Sequence, residues 1–246
     1  MPVSEYRLLQ ATLAIRKEPN HKSELVNQLL FGERFKIKED SNGWYKIEST
    51  HDNYIGWAED KILIEPYIKV EISYLITKAI AFVNYREDIM QLPFGSRCPT
   101  YMLKHNSNKN DFISRALSVT DAIQLMKTQF LHAPYLWGGR TVLGIDCSGF
   151  TQLYARCLGI ELDRDAWQQA LQGKLVNTKE ELSSGDLIFF KSESDKITHV
   201  GIFLGEGKIM HASGRVRIDL INMEGIINSQ TGKLTHRLVN FRRITK

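Results

Sequence analysis

The sequence predicts an α+β protein in which a small β-barrel precedes helices and an antiparallel sheet. Residues 5–66 are short alternating apolar runs separated by turns that contain Gly and Asn, a pattern typical of small barrels. Two later stretches, 120–131 and 148–158, repeat apolar residues at helical spacing. Strand-like runs separated by glycine turns then continue to residue 244, an order that favours helices packed on one antiparallel sheet.

Composition limits the classes of protein to which the chain can belong. A length of 246 residues allows two or three domains, and 43% apolar with 24% charged residues is typical of soluble globular proteins. The net charge of +4 comes without a dense basic run, which argues against a nucleic-acid partner. No run approaches the roughly 18 apolar residues of a membrane span. Because the first residues also lack a basic and then apolar signal segment, we expect a cytoplasmic protein, although a trimmed exported precursor would look the same.

The first domain is assigned to residues 1–66. Strands 34–38 and 44–48 flank the turn 40–43, and the stretch 54–58 supplies another strand. Its Gly-Glu, Gly-Trp-Tyr-Lys-Ile and Tyr-Ile-Gly-Trp segments, in that order, resemble a bacterial SH3 domain. The alternative is a barrel that serves only as a spacer.

The second domain is assigned to residues 67–117. Strands are predicted at 67–76, 79–85 and 89–94, which suggests a second, degenerate SH3-like barrel without the Gly-Trp-Tyr segment. We expect it to act as scaffold.

The third domain is assigned to residues 118–246. It begins with a helix at 120–131, capped by Thr120, which Pro134 ends.

A glycine-rich loop, Tyr135 to Phe150, leads into the second predicted helix. Cys147 stands where this helix starts and Gly159 where it stops. Since unpaired N–H groups and the helix dipole favour a thiolate, we expect a lowered thiol pKa and a nucleophilic role for Cys147. The alternative is a structural thiol. With Cys98 and Cys157 the chain has three cysteines, and this odd number does not indicate a disulfide framework.

Two histidines follow in a predicted hairpin. Strand-like residues lie on each side of the turn 205–207, and equal arms would place residue 199 opposite 213, with His211 its diagonal neighbour on the same face. One histidine could then accept the thiol proton while the other fixes its tautomer. Alternatively, His199 and His211 are satisfied surface or core residues. The remaining histidines are expected on surfaces or loops: His21, His51, His105, His132 and His236.

Four sequence blocks, Tyr-x-Trp-Gly-Gly, Asp-Cys-Ser-Gly-Phe, Gly-Asp-Leu-Ile-Phe-Phe and His-Val-Gly-Ile-Phe, occur in the order that is typical of NlpC-type cysteine peptidases of bacterial cell-wall metabolism. The third domain is similar to that family. The resemblance implies a papain-like fold, a catalytic set of Cys147, His199 and His211, and Tyr135 as a donor to the oxyanion. It requires neither a cofactor nor a metal.

The resemblance also implies a substrate. Family members with SH3 domains commonly cleave the γ-D-glutamyl-L-diamino-acid bond of murein peptides, so a tripeptide or tetrapeptide with a free L-alanine amine is expected, in peptidoglycan recycling. Asp146 and Ser148 would then hold that amine, and Trp137 would shape its pocket. In the first barrel, Glu24 and Tyr54 are the matching candidates, with Glu18 a rival to Glu24.

Three alternatives stay open. A related Cys-His amidase or acyltransferase would share the scaffold, a wall-binding module would carry an inactive site, and a metal store would use the two histidines and the thiol. The sequence also predicts that Asp186 fixes a turn, and leaves Asp219 and Asn222 undecided as groove residues. We expect a monomer with no membrane or nucleic-acid partner.

Overall fold

A computed structural model describes residues 5–67, 73–85, 87–103, 111–191 and 195–245, and these form two compact units. Unit 1 comprises residues 1–116 and 137–142, and unit 2 comprises residues 117–136 and 143–246. The α+β class is confirmed, whereas the division into three domains stays a prediction. Within the described part of the chain, no helix has the length and apolar character needed to span a bilayer.

Unit 1 contains a seven-stranded antiparallel sheet whose strands follow the order β3-β2-β6-β5-β4-β1-β7. The strands are β1 (Tyr6–Leu8), β2 (Thr12–Arg16), β3 (Leu25–Leu30), β4 (Arg34–Ser41), β5 (Trp44–Ser49), β6 (Ile55–Glu59) and β7 (Ile64–Pro66). Phe35, Ile47 and Ala58 are buried in its core. Asn42 and Gly43 have positive φ, as a tight β4–β5 turn requires. The predicted SH3-like barrel is confirmed.

The rest of unit 1 forms two smaller sheets, β10-β9 and β11-β8-β12. Their elements, with one further strand, are β8 (Ser73–Ile76), β9 (Ile80–Tyr85), β10 (Asp88–Pro93), β11 (Arg97–Pro99), α1 (Thr100–Leu103), β12 (Phe112–Ile113) and β13 (Arg140–Thr141). Val83, Leu92 and Met102 pack in one cluster with Phe31. Residues 68–72 of the strand predicted at 67–76, and His105, lie outside the described residues.

Unit 2 begins with helix α2 (Val119–Phe130), followed by α3 (Cys147–Cys157) and α4 (Ala166–Gln169). The predicted cap of α2, Thr120, is wrong. Ser118 is the cap, because its Oγ accepts the Asp121 N–H at 3.1 Å and donates to that carboxylate at 2.7 Å. The predicted α3 is confirmed, and Gly159, at φ +74°, follows its end.

The sheet of unit 2 closes on itself. Its strands run in the order β15-β21-β16-β17-β18-β19-β20, and β21 also pairs with β20, so β16 to β21 form a six-stranded barrel. Ile188, Phe203 and Ile209 belong to its buried core. The strands of this unit are β14 (Gly144–Ile145), β15 (Lys174–Val176), β16 (Leu187–Lys191), β17 (Ile197–Gly205), β18 (Lys208–Ser213), β19 (Arg215–Ile221), β20 (Gly225–Ile227) and β21 (Leu234–Arg243).

The β17–β18 hairpin has the predicted register. Gly201 pairs with His211, and the same register extended by two residues places 199 opposite 213. Glu206 and Gly207, at φ +50° and +67°, form the tight turn, since a hairpin turn of this kind needs positive φ at both central residues. Helix α3 packs against β17 and β18. The fold therefore brings the start of α3 and this hairpin into one region of unit 2.

Gly225 permits the closure of the barrel. It has φ +146°, and a Cβ at this position would lie 1.8 Å from the carbonyl oxygen of His236 on β21. Only glycine adopts this backbone conformation without strain, and the neighbouring backbone leaves no room for a side chain.

We expect Gly225→Ala to lower the free energy of unfolding by at least about 3 kcal/mol, because strain and a backbone clash add. Gly232→Ala is the matched control. Its φ is also positive, +69°, but no atom lies within 4 Å of the position that the added methyl group would take, so it should cost only about 1–2 kcal/mol. Urea denaturation of both variants measures the difference, and equal losses would contradict the close approach of β20 and β21.

Candidate active site

Asp146 fixes the start of α3. Its Oδ1 accepts the backbone N–H of Gly149 at 2.7 Å, which caps the helix one residue before Cys147. The side chains of Cys147 and Ser148 are buried in the first turn. The position of the thiol is therefore set by a cap that adjoins it in the sequence.

Arg164 holds Asp146 from the other side. Its guanidinium donates Nη1 to Asp146 Oδ1 at 3.0 Å and Nη2 to Oδ2 at 2.5 Å, and Nη1 also reaches Ser148 Oγ at 2.8 Å. Arg164 is 1% exposed and Asp146 4%. Such a two-pronged pair is stronger than a single contact, and it fixes the planes of the guanidinium and the carboxylate relative to each other. The sequence does not indicate this pairing, since residues 18 apart carry no pairing signal.

The thiol of Cys147 points towards β17. Its Sγ lies 3.8 Å from the carbonyl oxygen of Thr198, the residue before His199. Burial, with the negative charge of Asp146, raises the pKa of Cys147 to about 12. The expectation of a lowered thiol pKa is therefore wrong. The helix N-terminus favours the thiolate, but in this buried position the loss of solvation outweighs it.

His199 and His211 meet across the hairpin as the register requires. His199 Nε2 lies 2.8 Å from His211 Nδ1, the two rings are nearly perpendicular at 83°, and both side chains are buried. On the far side of His211, its Nε2 lies 3.0 Å from Asp219 Oδ2. Asp219, which the sequence left undecided, thus completes a line of hydrogen bonds that ends at His199.

The carboxylate determines which ring nitrogen carries each proton. Although burial opposes its ionisation, hydrogen bonds from His211, the Ser229 N–H and Arg217 hold the pKa of Asp219 well below its usual range. An ionised carboxylate only accepts, so Nε2 of His211 must carry a proton. When His211 has one ring proton, its Nδ1 accepts from Nε2 of His199. Nδ1 of His199 is then left with a lone pair.

His236 is the member of this group that sequence reasoning missed. Its ring stacks on that of His199, with centroids 4.1 Å apart and planes 25° apart. The last strand, β21, starts at Leu234 and therefore includes His236. Period-2 alternation extended back from Leu238 places His236 on the same face, and this signal was available in the sequence. The expectation of a surface or loop position for His236 holds only in part, because the residue is half-buried and lies on a strand.

Both histidines of the stack are disfavoured as cations. Burial, then the charges of His211 and His236, lower the pKa of His199 well below its ordinary value. Burial and His211 likewise lower the pKa of His236 to about 4. With the raised thiol pKa of Cys147, the resting pair is therefore a neutral thiol and a neutral imidazole.

Tyr135 lies before β14, and its backbone N–H donates to the carbonyl of Gly214 at 3.0 Å. Burial and the nearby charges of Cys147 and Asp146 raise its pKa above the ordinary value for a phenol. The hydroxyl therefore keeps its proton at neutral pH and remains available as a hydrogen-bond donor, as the predicted oxyanion role requires.

The predicted substrate contacts divide between the units. Asp146 and Ser148 belong to unit 2, where Ser148 Oγ also donates to Asp146 Oδ1 at 3.3 Å, whereas Glu24, Tyr54 and Trp137 belong to unit 1. In unit 1, Glu24 is exposed and lies 3.8 Å from Lys17 Nζ, Tyr54 is half-buried, and Trp137 is 56% exposed. Their roles, and the rivalry of the exposed Glu18 with Glu24, stay predictions.

Arg140, from the glycine-rich loop, anchors residues 137–142 within unit 1. Its guanidinium forms a two-pronged pair with Glu33, at 2.9 and 3.0 Å, and donates to the Gln28 carbonyl at 2.8 Å. Sequence reasoning assigned it no role, because its partner lies 107 residues away.

Other predicted residues have structural partners. Asp186 accepts the Ser183 N–H at 2.8 Å and pairs with Arg243 at 2.7 Å, so its predicted role in a turn is confirmed. Asn222 Oδ1 accepts two backbone N–H groups in the turn before β20. Cys98 and Cys157 are buried free thiols. Within the described ranges, no group of three or more His, Cys, Asp or Glu is placed to hold a metal ion.

Two family models match the chain. The model of the NlpC/P60 family matches residues 132–235, which include Cys147 and both paired histidines. The model of the bacterial dipeptidyl-peptidase Sh3 domain matches residues 15–63, in the first barrel.

Curated relatives and solved structures agree with these matches. The chain is 31% identical over 215 residues to the γ-D-glutamyl-L-lysine dipeptidyl-peptidase of Bacillus subtilis, which covers 76% of this chain and 72% of that protein. A protein of the same name from Bacillus cereus is 28% identical, covering 85% and 74%. The crystal structure of an NlpC/P60 family protein from Bacillus cereus superposes with a TM-score of 0.84 at 22% identity over 99% of this chain and 100% of that one, which shows the shared fold.

We expect Arg164→Met to lower the free energy of unfolding by about 3–5 kcal/mol, because it leaves the Asp146 charge buried without its cation. The control is Lys208→Ala, which removes an exposed pair with Glu206 and should cost less than about 1 kcal/mol. Urea denaturation compares the two. A loss below about 1 kcal/mol for Arg164→Met would mean that Asp146 does not depend on this pair.

Proposed function

The chain belongs to the NlpC/P60 family, a family of cysteine peptidases, and from that premise we propose that it hydrolyses the γ-D-glutamyl-L-diamino-acid bond of murein peptides with a free N-terminal L-alanine. The names of the two Bacillus relatives support this bond. The match of the Sh3 model to residues 15–63 supports the same subgroup, because that model represents the Sh3 domain of bacterial dipeptidyl-peptidases.

The observation that carries the proposed chemistry is the line from Asp219 through His211 to His199. It leaves Nδ1 of His199 with a lone pair. His199 lies on β17, directly after Thr198, whose carbonyl oxygen is 3.8 Å from the Cys147 Sγ. A buried neutral imidazole whose tautomer is fixed by a carboxylate is suited to accept a thiol proton. This supports the roles of base for His199 and of orienting residue for His211.

The reaction that we propose proceeds through a thioester. Cys147 loses its proton to His199 Nδ1 as the sulfur attacks the γ-carbonyl carbon of D-glutamate. The imidazolium returns that proton to the leaving amine as the C–N bond breaks, and the diamino acid departs. Water then attacks the thioester, giving its proton to His199, and the thiol leaves with that proton. The products are L-alanyl-D-glutamate and the diamino acid, or its peptide.

Charge appears in this pathway only as the transition state forms. Since the resting thiol and imidazole are both neutral, the developing oxyanion needs donors that are already in place. We assign these to the Cys147 backbone N–H, which is free of intrahelical bonds at the start of α3, and to the Tyr135 hydroxyl. Each such donor contributes on the order of 3 kcal/mol.

The test uses L-Ala-γ-D-Glu-L-Lys, the same peptide with diaminopimelate, their N-acetylated forms and intact sacculi, with products identified by mass spectrometry. We expect cleavage of the free-amine peptides at the γ-bond. Cleavage of acetylated peptides as well would refute the need for the amine, and rapid release from sacculi would refute a role confined to soluble peptides. Transfer of the acyl group to an added amine would indicate an acyltransferase, and binding without cleavage a wall-binding module.

Cys147→Ala should abolish cleavage because it removes the nucleophile. Cys157→Ala is the matched control, since Cys157 is a buried thiol of the same helix but lies at its other end, and it should retain cleavage. Persisting cleavage by the Cys147 variant would refute the mechanism.

We expect Asp219→Asn to lower kcat by about 10²- to 10⁴-fold, because an amide can donate to His211 and reverse the order of ring protons. KM should change little. Asp195→Asn, at an exposed residue of the same unit that pairs with Lys191, is the control and should leave kcat unchanged. Steady-state kinetics on the tripeptide measure both, and a wild-type kcat in Asp219→Asn would show that the carboxylate does not set the tautomers.

A further inference from the structure

His236 forms a parallel stack with the proposed base. The rings of His199 and His236 lie 4.1 Å apart and are inclined by only 25°, while both are nearly perpendicular to His211, at 83° and 84°. The centroid of the Phe190 ring lies 6.1 Å from that of His199 and 6.4 Å from that of His236. The imidazole of His199 thus packs against the ring of His236 on one face and forms a hydrogen bond with His211 through Nε2.

The ring of His236 is itself held. Its Nδ1 lies 2.9 Å from Thr235 Oγ1, which opposes rotation of the ring. Its backbone pairs with Ile226, and the carbonyl oxygen of His236 lies where any side chain at Gly225 would project. The closure of the barrel at β20 and β21 therefore determines where this ring lies.

We propose that His236 is a positioning residue for the reaction: its ring, stacked on His199, holds the imidazole in the plane that presents Nδ1 to the Cys147 thiol and Nε2 to His211. The proposal rests on the proposed function only because that function supplies the reaction in which His199 acts. The stack contributes through its flat surface and through the water it excludes. It therefore requires an aromatic ring at position 236 but no ring nitrogen.

The contrasting role for His236 is proton transfer. Among the described residues, Nε2 of His236 has no hydrogen-bond partner, so a ring nitrogen is free to contact a substrate. That role requires the nitrogen, and a phenylalanine could not replace it. The same substitution therefore separates the two roles.

The pH profile gives a readout that loss of structure alone would not produce. In the described part of the chain, His211 from β18 and His236 from β21 contact the His199 ring. Asp219 and Arg217 from β19 lie beyond His211, and Cys147 from α3 contacts the carbonyl of the preceding residue, Thr198. His199 must be neutral to act as a base, so activity falls as the pH drops through its pKa, which burial places well below the ordinary value. Removing the stacked ring admits water, raises that pKa and moves the acid limb to higher pH.

The experiment compares His236→Ala and His236→Phe in the full chain. For His236→Ala we expect kcat on the tripeptide to fall about 10- to 100-fold with little change in KM, because a misplaced base loses its alignment. The acid limb of kcat/KM should move to higher pH. For His236→Phe we expect kcat within about threefold of wild type and an acid limb close to it, since the ring surface is kept.

A titration of the histidine ring nitrogens by NMR, without substrate, gives the second measurement. The His199 pKa should rise in His236→Ala and stay low in His236→Phe. This result holds even if the peptide is not a substrate, so failure of the proposed function is distinguishable. Equal losses of kcat in both variants, or an unchanged His199 pKa in His236→Ala, would overturn the proposal, and so would wild-type kcat in His236→Ala.

Discussion

The buried pair of Asp146 and Arg164 is the constraint on which the site depends. A carboxylate and a guanidinium that are almost fully excluded from water are tolerated only when each satisfies the other. Asp146 also caps α3 through the N–H of Gly149, so the same carboxylate that needs Arg164 defines where the helix starts. Cys147 is the next residue, so the same geometry determines its position. The thiol is thus fixed by a charge pair in which it takes no part.

The closed sheet supplies the other half of the site. Because β21 pairs with β16 along one edge and with β20 on the other, side chains from four different strands gather at one place. His199, His211, Asp219 and His236 come from β17, β18, β19 and β21. A strand sequence by itself places only alternate residues on a face, whereas closure of the barrel makes distant strands neighbours.

Electrostatically the arrangement is neutral at rest. Burial disfavours the thiolate of Cys147 and the imidazolium of His199 alike, although a cysteine at a helix N-terminus is usually expected to ionise. In the line from His199 through His211, the ionised group is Asp219. Its effect is to fix the tautomers, so that the proposed base is oriented before any charge forms. In a site of low polarity, donors aimed at the transition state then act with full strength.

The sequence by itself determined what depends on neighbours along the chain. The start of α3 at Cys147 follows from an amphipathic stripe and its cap, and the pairing of His199 with His211 follows from a turn of fixed length. The tertiary structure alone decided which buried groups face one another and how far each is removed from water. Arg164 reaches Asp146, and β21 brings His236 to His199, through contacts between distant segments, and burial of the thiol reverses the pKa shift that its local position predicts. Solvation and long-range pairing are properties of the packed chain, so no local pattern records them.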